Sequence, residues 1–282
     1  MQAPQASLLP DGNRLHLNHG PIDLIIEARG NGRERAYRAA VARFATVLQE
    51  LVDELPLLRS PASPTHQFVG TTARRMQQAV LPHLPAFITP MAAVAGAVAD
   101  EMIGVISAIP DIAKAYVNNG GDAAFFLTPG EKIAAAIAAP NAGSIEIRAD
   151  DTWRGIATSG WRGRSHSLGI ADTVTVIAEN AAMADAAATM IANAVDLPDH
   201  PAIARKPAAE LAPDSDLGTR LVTTDVGTLT ATESGEALDR GAAYADGLLQ
   251  RGLIAGALLM LNDEIRIVGM PNLLTSGDLA HA

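Results

Sequence analysis

The sequence DTVTVIAENAAMADAAATMIANAV, residues 172–195, contains the clearest strand of the chain, followed directly by an apolar helix. Its first part is rich in β-branched residues, which favour strands. From about Ala181 to Val195 nearly every residue is Ala, Met or Ile. Because a helix that is apolar on almost all sides is buried, this stretch predicts a strand that leads into a core helix.

Three polar side chains interrupt this helix at a spacing of four residues: Asp185, Thr189 and Asn193. The spacing aligns them in one narrow stripe along the helix. A carboxylate one turn from a hydroxyl offers two hard oxygen ligands for Mg²⁺, especially beside a phosphate. The alternative is a solvent-facing stripe on a packed helix, and the residue pattern leaves both interpretations open.

The segment before the strand, residues 152–171, is rich in arginine and glycine, contains both tryptophans of the chain and has no carboxylate. Arginine donors suit phosphate oxygens, tryptophan offers a flat face for a ring, and glycine lets backbone amides approach a ligand closely. We interpret the segment as the lip of an anion site. The alternative is a surface loop whose arginines pair with neighbouring acids. The residues concerned are Trp153, Arg154, Gly155, Gly160, Trp161, Arg162, Gly163, Arg164 and Gly169.

Two other glycine-containing motifs are less specific. Paired glycines in the sequence NNGGD, residues 118–122, can cradle a ligand through bare amides or simply form a hairpin turn. Gly30-Asn31-Gly32 continues into Arg35 without a third glycine, so it is not a dinucleotide fingerprint. His166 lies between two serines, but residues 157–160, ATSG, lack the first glycine of a nucleophile elbow, which excludes a serine hydrolase of that type.

The rest of the chain shows strand pairs next to long helices at both ends, which favours an α+β fold over an alternating parallel one. We expect strands around His19–Pro21, a helix from Glu34 to Leu55, and a proline-rich loop over residues 56–70. These are followed by helices at residues 73–80 and 91–109, a strand, glycine turn and strand over 113–127, a short helix at 131–138 and a strand at 144–150.

The C-terminal third repeats this alternation of strands and helices. After a polar, proline-rich connection at residues 197–216, the sequences TRLVTTDV and TLTATE suggest strands. A helix is expected from Gly235 to Arg251 with Gly252 as its stop, and then a hairpin that turns at Asn262-Asp263.

The composition narrows the class of protein. With 282 residues, 48% hydrophobic and 18% charged, the chain is long and apolar enough to form a globular core. A formal net charge of -10 disfavours binding to nucleic acid or to anionic membranes. The absence of cysteine excludes disulfides, thiolate nucleophiles and cysteine-ligated zinc.

The chain shows no pattern of export or membrane insertion. Its start, MQAPQASLLPDGN, lacks the basic and apolar regions of a signal peptide. The apolar stretch at residues 91–109 approaches the length of a membrane span, but Asp100 and Glu101 lie at its centre. We therefore expect a cytoplasmic protein.

Taken together, the motifs resemble the ApbE-like superfamily, whose best-known members are FAD:protein FMN transferases. Those enzymes carry an Ala-Thr-Ser-Gly turn, a β-branched strand and a helix with the pattern Ala-Asp-Ala-x-x-Thr, which residues 184–189 match in every specified place. VNNGGD, residues 117–122, resembles the family's strand ending in Asn-x-Gly-Gly. The likeness to the broad superfamily spans residues 90–270, and over nearly its whole length the chain resembles a shorter cytosolic branch of undefined activity.

The resemblance implies a fold and its extent. The family has an α+β, T-fold-related arrangement in two parts, with antiparallel sheets and packed helices. Residues 1–282 are accordingly expected to form a single ApbE-like domain, or two intimately packed halves.

The resemblance also implies a chemistry. Asp185 and Thr189 would ligate Mg²⁺ together with a backbone carbonyl, and the metal would clamp the pyrophosphate of FAD while AMP leaves. FMN would pass to a Ser or Thr hydroxyl of a protein acceptor, with His166 and Asp185 as catalytic residues. The residues assigned to nucleotide binding are Asn119, Gly120, Gly121, Asp122, Thr158, Ser159, Gly160, Arg162 and Arg164.

The chain departs from the transferase pattern in two places. The transferases have a longer loop leading to a His-Ile-Ile-Asp-Pro motif, whereas here the interval is compressed to RGRSHSLGIAD and His166 is the nearest counterpart. The Ala-Lys-Gly of the transferases is replaced by AAVAGAVAD around Ala97, without the lysine. The alternative function is therefore a non-catalytic protein that binds a flavin, a nucleotide or another phosphorylated small molecule. We expect no nucleic-acid or membrane partner and leave a homo-oligomer open.

Overall fold

The computed structural model describes residues 3–137 and 143–274. Its strands, in chain order, are β1 (Gln5–Leu8), β2 (Leu15–His19), β3 (Ile22–Arg29), β4 (Lys114–Asn119), β5 (Asp122–Leu127), β6 (Lys132–Ala136), β7 (Ser144–Arg148), β8 (Gly155–Ser159), β9 (Thr173–Ala178), β10 (Ile203–Pro207), β11 (Leu221–Val226), β12 (Gly256–Leu261), β13 (Glu264–Gly269) and β14 (Leu273–Leu274). Its α-helices are α1 (Arg33–Asp53), α2 (Leu55–Leu58), α3 (Thr71–Val80), α4 (Val94–Ser107), α5 (Ala181–Ala194), α6 (Ala208–Leu211) and α7 (Ala231–Gln250).

The strands of the described residues form three antiparallel sheets. The main sheet has nine strands in the order β1-β2-β3-β4-β5-β8-β9-β12-β13. A three-stranded sheet has the order β14-β7-β6, and β10 pairs with β11. Every pairing between neighbouring strands is antiparallel, so the expected α+β class is confirmed.

The main sheet is covered on both faces. The helices α1, α4, α5 and α7 pack against one face, and their apolar side chains form two clusters with the strands beneath them. On the other face, Ile145 and Ile147 of β7 pack with Phe125, Ile177 and Leu258 of the main sheet. Strands β5 and β9 are accordingly buried along nearly their whole length, whereas β3 alternates buried with less buried residues.

The strand predicted at residues 172–178 and the helix predicted from about Ala181 to Val195 are confirmed as β9 and α5. The strand pairs predicted near the two ends are also confirmed, as β2–β3 and β12–β13. The second pair turns at Asn262, whose φ of 54° lies in the left-handed region that asparagine tolerates. Gly252 follows α7 with a φ of 69°, as expected of a glycine that stops a helix.

The short helix predicted at residues 131–138 is wrong over residues 131–137, where the structure has strand β6, and Ala138 lies outside the described residues. This strand pairs along its full length with β7, and Ile133 and Ala135 pack within the cluster between the two sheets. Alanine-rich residues have good helix propensity, but a segment this short takes the conformation for which a pairing partner exists.

The strand predicted for TLTATE is also wrong. Thr230 is instead the N-cap of α7: its hydroxyl accepts from the Glu233 amide, and the Glu233 carboxylate accepts from the Thr230 amide. This capping box satisfies two amides of the first helical turn, which outweighs the strand preference of the threonines. The signal was present in the sequence as a threonine followed three residues later by glutamate.

Two predicted loops contain regular structure. The polar connection at residues 197–216 includes β10 and α6, because β10 finds a partner in β11. The proline-rich loop at 56–70 begins inside α2, where Pro56 occupies the first turn, a position that needs no amide hydrogen.

Helices α4 and α5 cap each other: a carboxylate from each helix accepts hydrogen bonds from backbone amides in the first turn of the other. Asp100 of α4 accepts hydrogen bonds from the amides of Ala181 at 3.0 Å and Ala182 at 2.8 Å, at the start of α5. Asp185 of α5 accepts one from the amide of Gly96 at 3.0 Å, in the first turn of α4. Each carboxylate therefore satisfies amides that have no partner within their own helix and lies at the positive end of the helix dipole.

Two glycines allow this close approach. A methyl group at Gly96 would lie 2.2 Å from the carbonyl oxygen of Ala181, and one at Gly155 would lie 2.1 Å from the amide nitrogen of Ala181. The start of α5 is thus in backbone contact with both α4 and β8, where no larger residue fits.

One segment of the described chain, Pro90–Ser107, is long and apolar enough to cross a membrane by composition, but 61% of it is buried inside the protein. Its two central acids have protein partners. Asp100 caps α5, and Glu101 accepts from Arg43 at 2.9 Å and from Arg75 at 3.2 Å. This segment is therefore a core helix of the fold.

Replacement of Asp100 by alanine is expected to lower the free energy of unfolding by about 2–4 kcal/mol, because two buried amides lose their acceptor. Chemical denaturation measures this change. Asp246→Ala is the matched control, since Asp246 is an exposed residue of α7, and it should alter the free energy by less than about 0.5 kcal/mol. Equal effects of the two substitutions would contradict the capping role of Asp100.

Replacement of Gly96 by alanine is expected to destabilise the fold by roughly 2 kcal/mol or more, because the added methyl overlaps the backbone of Ala181. Gly247 of α7 has nothing within 4 Å of such a methyl, so Gly247→Ala should instead stabilise by about 0.5–1 kcal/mol. Thermal unfolding of the two variants should therefore show shifts of opposite sign.

Candidate functional site

The glycine turn and the arginine-rich segment meet at one end of the main sheet. Asp122, at the start of β5, accepts a hydrogen bond from the amide of Thr158 at 3.1 Å. The guanidinium of Arg164 lies over Gly120, where a methyl group would be 1.9 Å from its Nη2 atom. Gly120 also has a φ of 66°, so its backbone conformation favours glycine, and the Arg164 side chain takes the space that a methyl group would occupy. The structure thus brings residues 118–122 and 158–164 into direct contact.

Asp122 and Asp185 are acidic neighbours at this contact: the charge of Asp122 acts on Asp185, and the charge of Arg164 acts on Asp122. Burial raises the pKa of Asp122 to about 7, although the Thr158 amide and the charge of Arg164 act in the opposite direction. Burial, together with the neighbouring Asp122 charge, raises the pKa of Asp185 well above its usual range. Two buried acids that repel each other favour the binding of a proton or a cation between them.

The stripe on α5 faces protein groups at both of its ends. Asp185 binds the first turn of α4 as described above, and Asn193 accepts hydrogen bonds from the Leu168 amide at 2.9 Å and the Ser167 hydroxyl at 3.3 Å. Thr189 lies between them, partly buried, and its hydroxyl makes no hydrogen bond within residues 3–137 and 143–274. The stripe therefore holds the arginine-rich segment at one end and α4 at the other, and Thr189 has a hydroxyl available for a ligand.

The three arginines of the segment have different surroundings. Arg162 stacks over the ring of Trp161 at 4.5 Å from its centroid and donates to Asp172 at 2.7 Å. Arg154 donates only to backbone carbonyls in the part of the chain that is described. These two arginines stabilise the segment itself, in agreement with the pairing alternative for Arg162, whereas Arg164 reaches the glycine turn.

Close packing against neighbouring backbone explains why three positions of the segment are glycine. Gly155 contacts the start of α5, as shown above. A methyl group at Gly160 would lie 2.2 Å from the carbonyl oxygen of Asp172, and one at Gly169 would lie 2.0 Å from that of Ala192. In contrast, Gly121 in the glycine turn has nothing within 4 Å of such a methyl and has a φ of 122°. Gly121 is the glycine with room for a ligand to approach its backbone.

The other predicted site residues lie around this contact. The Asn119 side chain donates to the carbonyl of Ala95 at 3.1 Å and so holds the glycine turn against the start of α4. Thr158 also hydrogen-bonds through its hydroxyl to Thr175 at 2.9 Å. Ser159 is partly exposed, and His166 is exposed and makes no side-chain hydrogen bond within the described ranges. His166 therefore belongs to the rim.

Sequence reasoning missed two contributions to the site. Asp100 was noted only as a charge in an apolar helix, but it supports α5 directly, and burial raises its pKa to about 6. Thr223 of β11 belongs to no sequence motif of the site. Its hydroxyl nevertheless donates to the Gly169 carbonyl at 2.8 Å, and its amide donates to the Ser167 carbonyl at 2.9 Å. Arg205 of β10 donates to the Leu168 carbonyl and to Asp196. The β10–β11 pair thus clamps the end of the arginine-rich segment.

The oxygen-bearing side chains at this site are of the kind that Mg²⁺ prefers. Asp122, Asp185 and Thr189 supply hard oxygen atoms, and the repulsion between the two carboxylates is relieved by a divalent cation. No group of three or more His, Asp or Glu side chains arranged for a metal occurs in the described part of the chain. Mg²⁺ does not require such a cage, because it commonly combines one or two carboxylates with water and substrate phosphates.

Comparison with known proteins gives relatives over most of the chain. The family model described as AbpE bacteria matches residues 6–267. A UPF0280 protein of Methanopyrus kandleri is 31% identical over 196 residues, which are 68% of this chain and 78% of that protein. A UPF0280 protein of Methanothrix thermoacetophila is 32% identical over 183 residues, which are 63% of this chain and 75% of that protein.

Solved structures with a similar arrangement include two flavin transferases. The apo form of flavinyl transferase ApbE from Pseudomonas stutzeri has a TM-score of 0.46 at 12% identity, covering 95% of this chain and 94% of that one. A mutant of flavin transferase ApbE from Vibrio cholerae has a TM-score of 0.47 at 12% identity, covering 95% and 99%.

The family match covers nearly the whole described chain, and the site motifs at residues 117–122, 157–160 and 184–189 lie within it. The identity to the Methanopyrus kandleri protein extends over most of that relative. This chain therefore belongs to the family described as AbpE bacteria and is related to the UPF0280 proteins.

Proposed function

We propose that this protein is a Mg²⁺-dependent flavin transferase, which cleaves FAD and moves FMN to a Ser or Thr hydroxyl of a protein acceptor. The observation that carries the proposal is that Arg164 lies against the glycine turn and its charge acts on Asp122, the acidic neighbour of Asp185. A guanidinium that can donate hydrogen bonds, next to two acids that favour a bound metal, is an arrangement suited to a pyrophosphate.

In the proposed reaction the acceptor hydroxyl attacks the phosphorus atom of the FMN half of FAD. The bond from this phosphorus to the bridging oxygen breaks, AMP leaves with the electron pair, and the hydroxyl proton passes to a base. Bound Mg²⁺ would neutralise the charge that develops on the phosphate oxygens. Asp185 and Thr189 would hold the metal, with Asp122 as the adjacent acid.

The chain's own residues would position the flavin nucleotide. Arg164 would donate to the phosphate oxygens, and the backbone of Gly121, whose amide donates to the Asn118 side chain at 3.1 Å, leaves room for the nucleotide because nothing lies within 4 Å of a methyl group at this position. Thr158, Ser159 and Gly160 would form the opposite wall. His166, on the rim, would accept the hydroxyl proton or orient the acceptor.

A second function, a binding protein without turnover, is favoured by two observations. His166 is exposed and not held by a neighbouring side chain in the described ranges, so it is not preorganised as a base. The segment AAVAGAVAD around Ala97 lacks the lysine of the Ala-Lys-Gly that the transferases carry. Such a protein would retain FAD, FMN or another phosphorylated molecule in the same site.

Incubation of the protein with FAD, Mg²⁺ and a mixture of Ser- and Thr-containing peptides is expected to release AMP, measured by chromatography. Thr189→Val should reduce the rate roughly 10- to 100-fold, because the metal loses a ligand. Thr72→Val is the matched control. Thr72 is also a helical threonine whose hydroxyl makes no hydrogen bond within the described residues, but it lies in α3, so its replacement should leave the rate unchanged.

The outcomes separate the two functions. Calorimetric binding of FAD without AMP release would support the binding protein and overturn the transferase. Absence of both binding and release would overturn both. AMP release that is equal in Thr189→Val and the wild type would contradict the role of Thr189 as a metal ligand.

The free energy of unfolding is expected to fall by up to about 4 kcal/mol between about pH 4 and pH 7 through Asp122. Its pKa is raised from 3.8 to about 7 in the folded protein, so in this range the folded state binds more protons than the unfolded state. The stabilisation is complete below the unfolded pKa and is lost as the pH rises through the folded one. Denaturation at several pH values should show this slope in the wild type and a smaller one in Asp122→Asn.

Asp246→Asn, at an exposed position, should keep the wild-type slope. Addition of Mg²⁺ should stabilise the wild type more at pH 8 than at pH 5, because the metal competes with protons for the carboxylates. A slope unchanged by Asp122→Asn would show that Asp122 does not titrate in this way.

A further inference from the structure

A second cationic site lies at the start of α1, away from the site described above. A cavity of about 670 Å³ opens between the end of β3 and the first turns of this helix. Four arginines, Arg29, Arg33, Arg35 and Arg38, line it together with Glu27 and Glu34. These six side chains carry a formal charge of +2 (four cations and two anions), whereas the whole chain carries -10.

Of the four arginines, Arg33 and Arg38 retain most of their hydrogen-bond donors, whereas Arg29 and Arg35 are paired with carboxylates. Arg29 pairs with Glu27 at 2.7 Å, and Arg35 pairs with Asp111 at 3.1 Å. Arg33 donates to the neutral side chain of Asn13 at 2.9 Å and has no carboxylate partner within the described residues. The ion pair of Arg38 with Glu34 is long, at 3.6 Å, and both side chains are exposed.

The backbone adds to this charge. The turn Gly30-Asn31-Gly32 precedes α1, and methyl groups at its two glycines would overlap the carbonyl oxygens of Asp111 and Pro110. The glycines therefore fix the turn against the segment that follows α4. The first turn of α1 has no side-chain cap, so the positive end of a 21-residue helix contributes to the field in the cavity.

The cavity is separate from the proposed flavin site. Arg29 pairs in register with Lys114 at the beginning of β4, whereas the glycine turn follows Asn119 at its end. The two ends of this strand are about 17 Å apart, at ~3.3 Å per residue. A ligand in the cavity would therefore not contact the Asp122–Asp185 pair.

We propose that this cavity binds a phosphorylated small molecule of about the size of a mononucleotide. Its volume lies within the range of roughly 300–1,000 Å³ that is usual for small-molecule sites. Guanidinium groups donate in pairs to phosphate oxygens, which suits the unpaired donors of Arg33 and Arg38. The acidic surface of the rest of the chain disfavours a long polyanion such as a nucleic acid.

The experiment is calorimetric titration with inorganic pyrophosphate in a buffer containing EDTA. EDTA removes the Mg²⁺ that the flavin site would use to hold a pyrophosphate, so that binding reports on the cationic cavity. The wild type is expected to bind one pyrophosphate, and the double variant Arg33→Ala/Arg38→Ala should bind it at least about tenfold more weakly.

The double variant Arg74→Ala/Arg240→Ala is the matched control, because it removes the same charge from two other helices. Its affinity should stay within about twofold of the wild type if the cavity is specific. Arg38→Ala alone, which removes only the long ion pair, guards against misfolding and should weaken binding several-fold. Absence of pyrophosphate binding by the wild type, or equal weakening in the two double variants, would overturn the proposal.

Discussion

The mutual capping of α4 and α5 by their carboxylates is the interaction on which the rest of the structure depends. Asp100 binds the first amides of α5, and Asp185 binds the first turn of α4, so each helix supplies the cap of the other. This capping requires the backbones of the two helices to lie so close together that only glycine fits at position 96. Because β8, β9 and the glycine turn pack around these two helix ends, this contact sets the position of every element of the candidate site.

The same contact concentrates buried negative charge. Asp100, Asp122 and Asp185 all have raised pKa values, because removal from water disfavours their charged forms and the charges of Asp122 and Asp100 also act on Asp185. A fold that places acids in this way gives up stability near neutral pH unless a cation joins them. Arg164 supplies part of the compensation from the rim. The electrostatic cost of the site and its capacity for a metal and a phosphate therefore have one physical origin.

The arginine-rich segment combines both interpretations that its sequence allowed. Arg162 is bound by Asp172, and the tight glycines pack against neighbouring backbone, so much of the segment's composition serves its own conformation. Arg164 instead reaches across to the glycine turn. Asn193 and the β10–β11 pair hold the end of the segment, and this anchoring keeps Arg164 at the edge of the site.

The sequence by itself determined β9, α5, the terminal strand pairs and the alignment of Asp185, Thr189 and Asn193, because strong periodicity and local turn chemistry need no distant partner. Its motifs also determined the family. Only the tertiary structure decided that residues 132–136 form a strand, since β7 offers the pairing that a short alanine-rich segment cannot supply. It also decided that Asp100 caps α5 and that Arg164, rather than Arg162, meets the glycine turn. Such contacts join residues far apart in the chain, and local spacing carries no record of them.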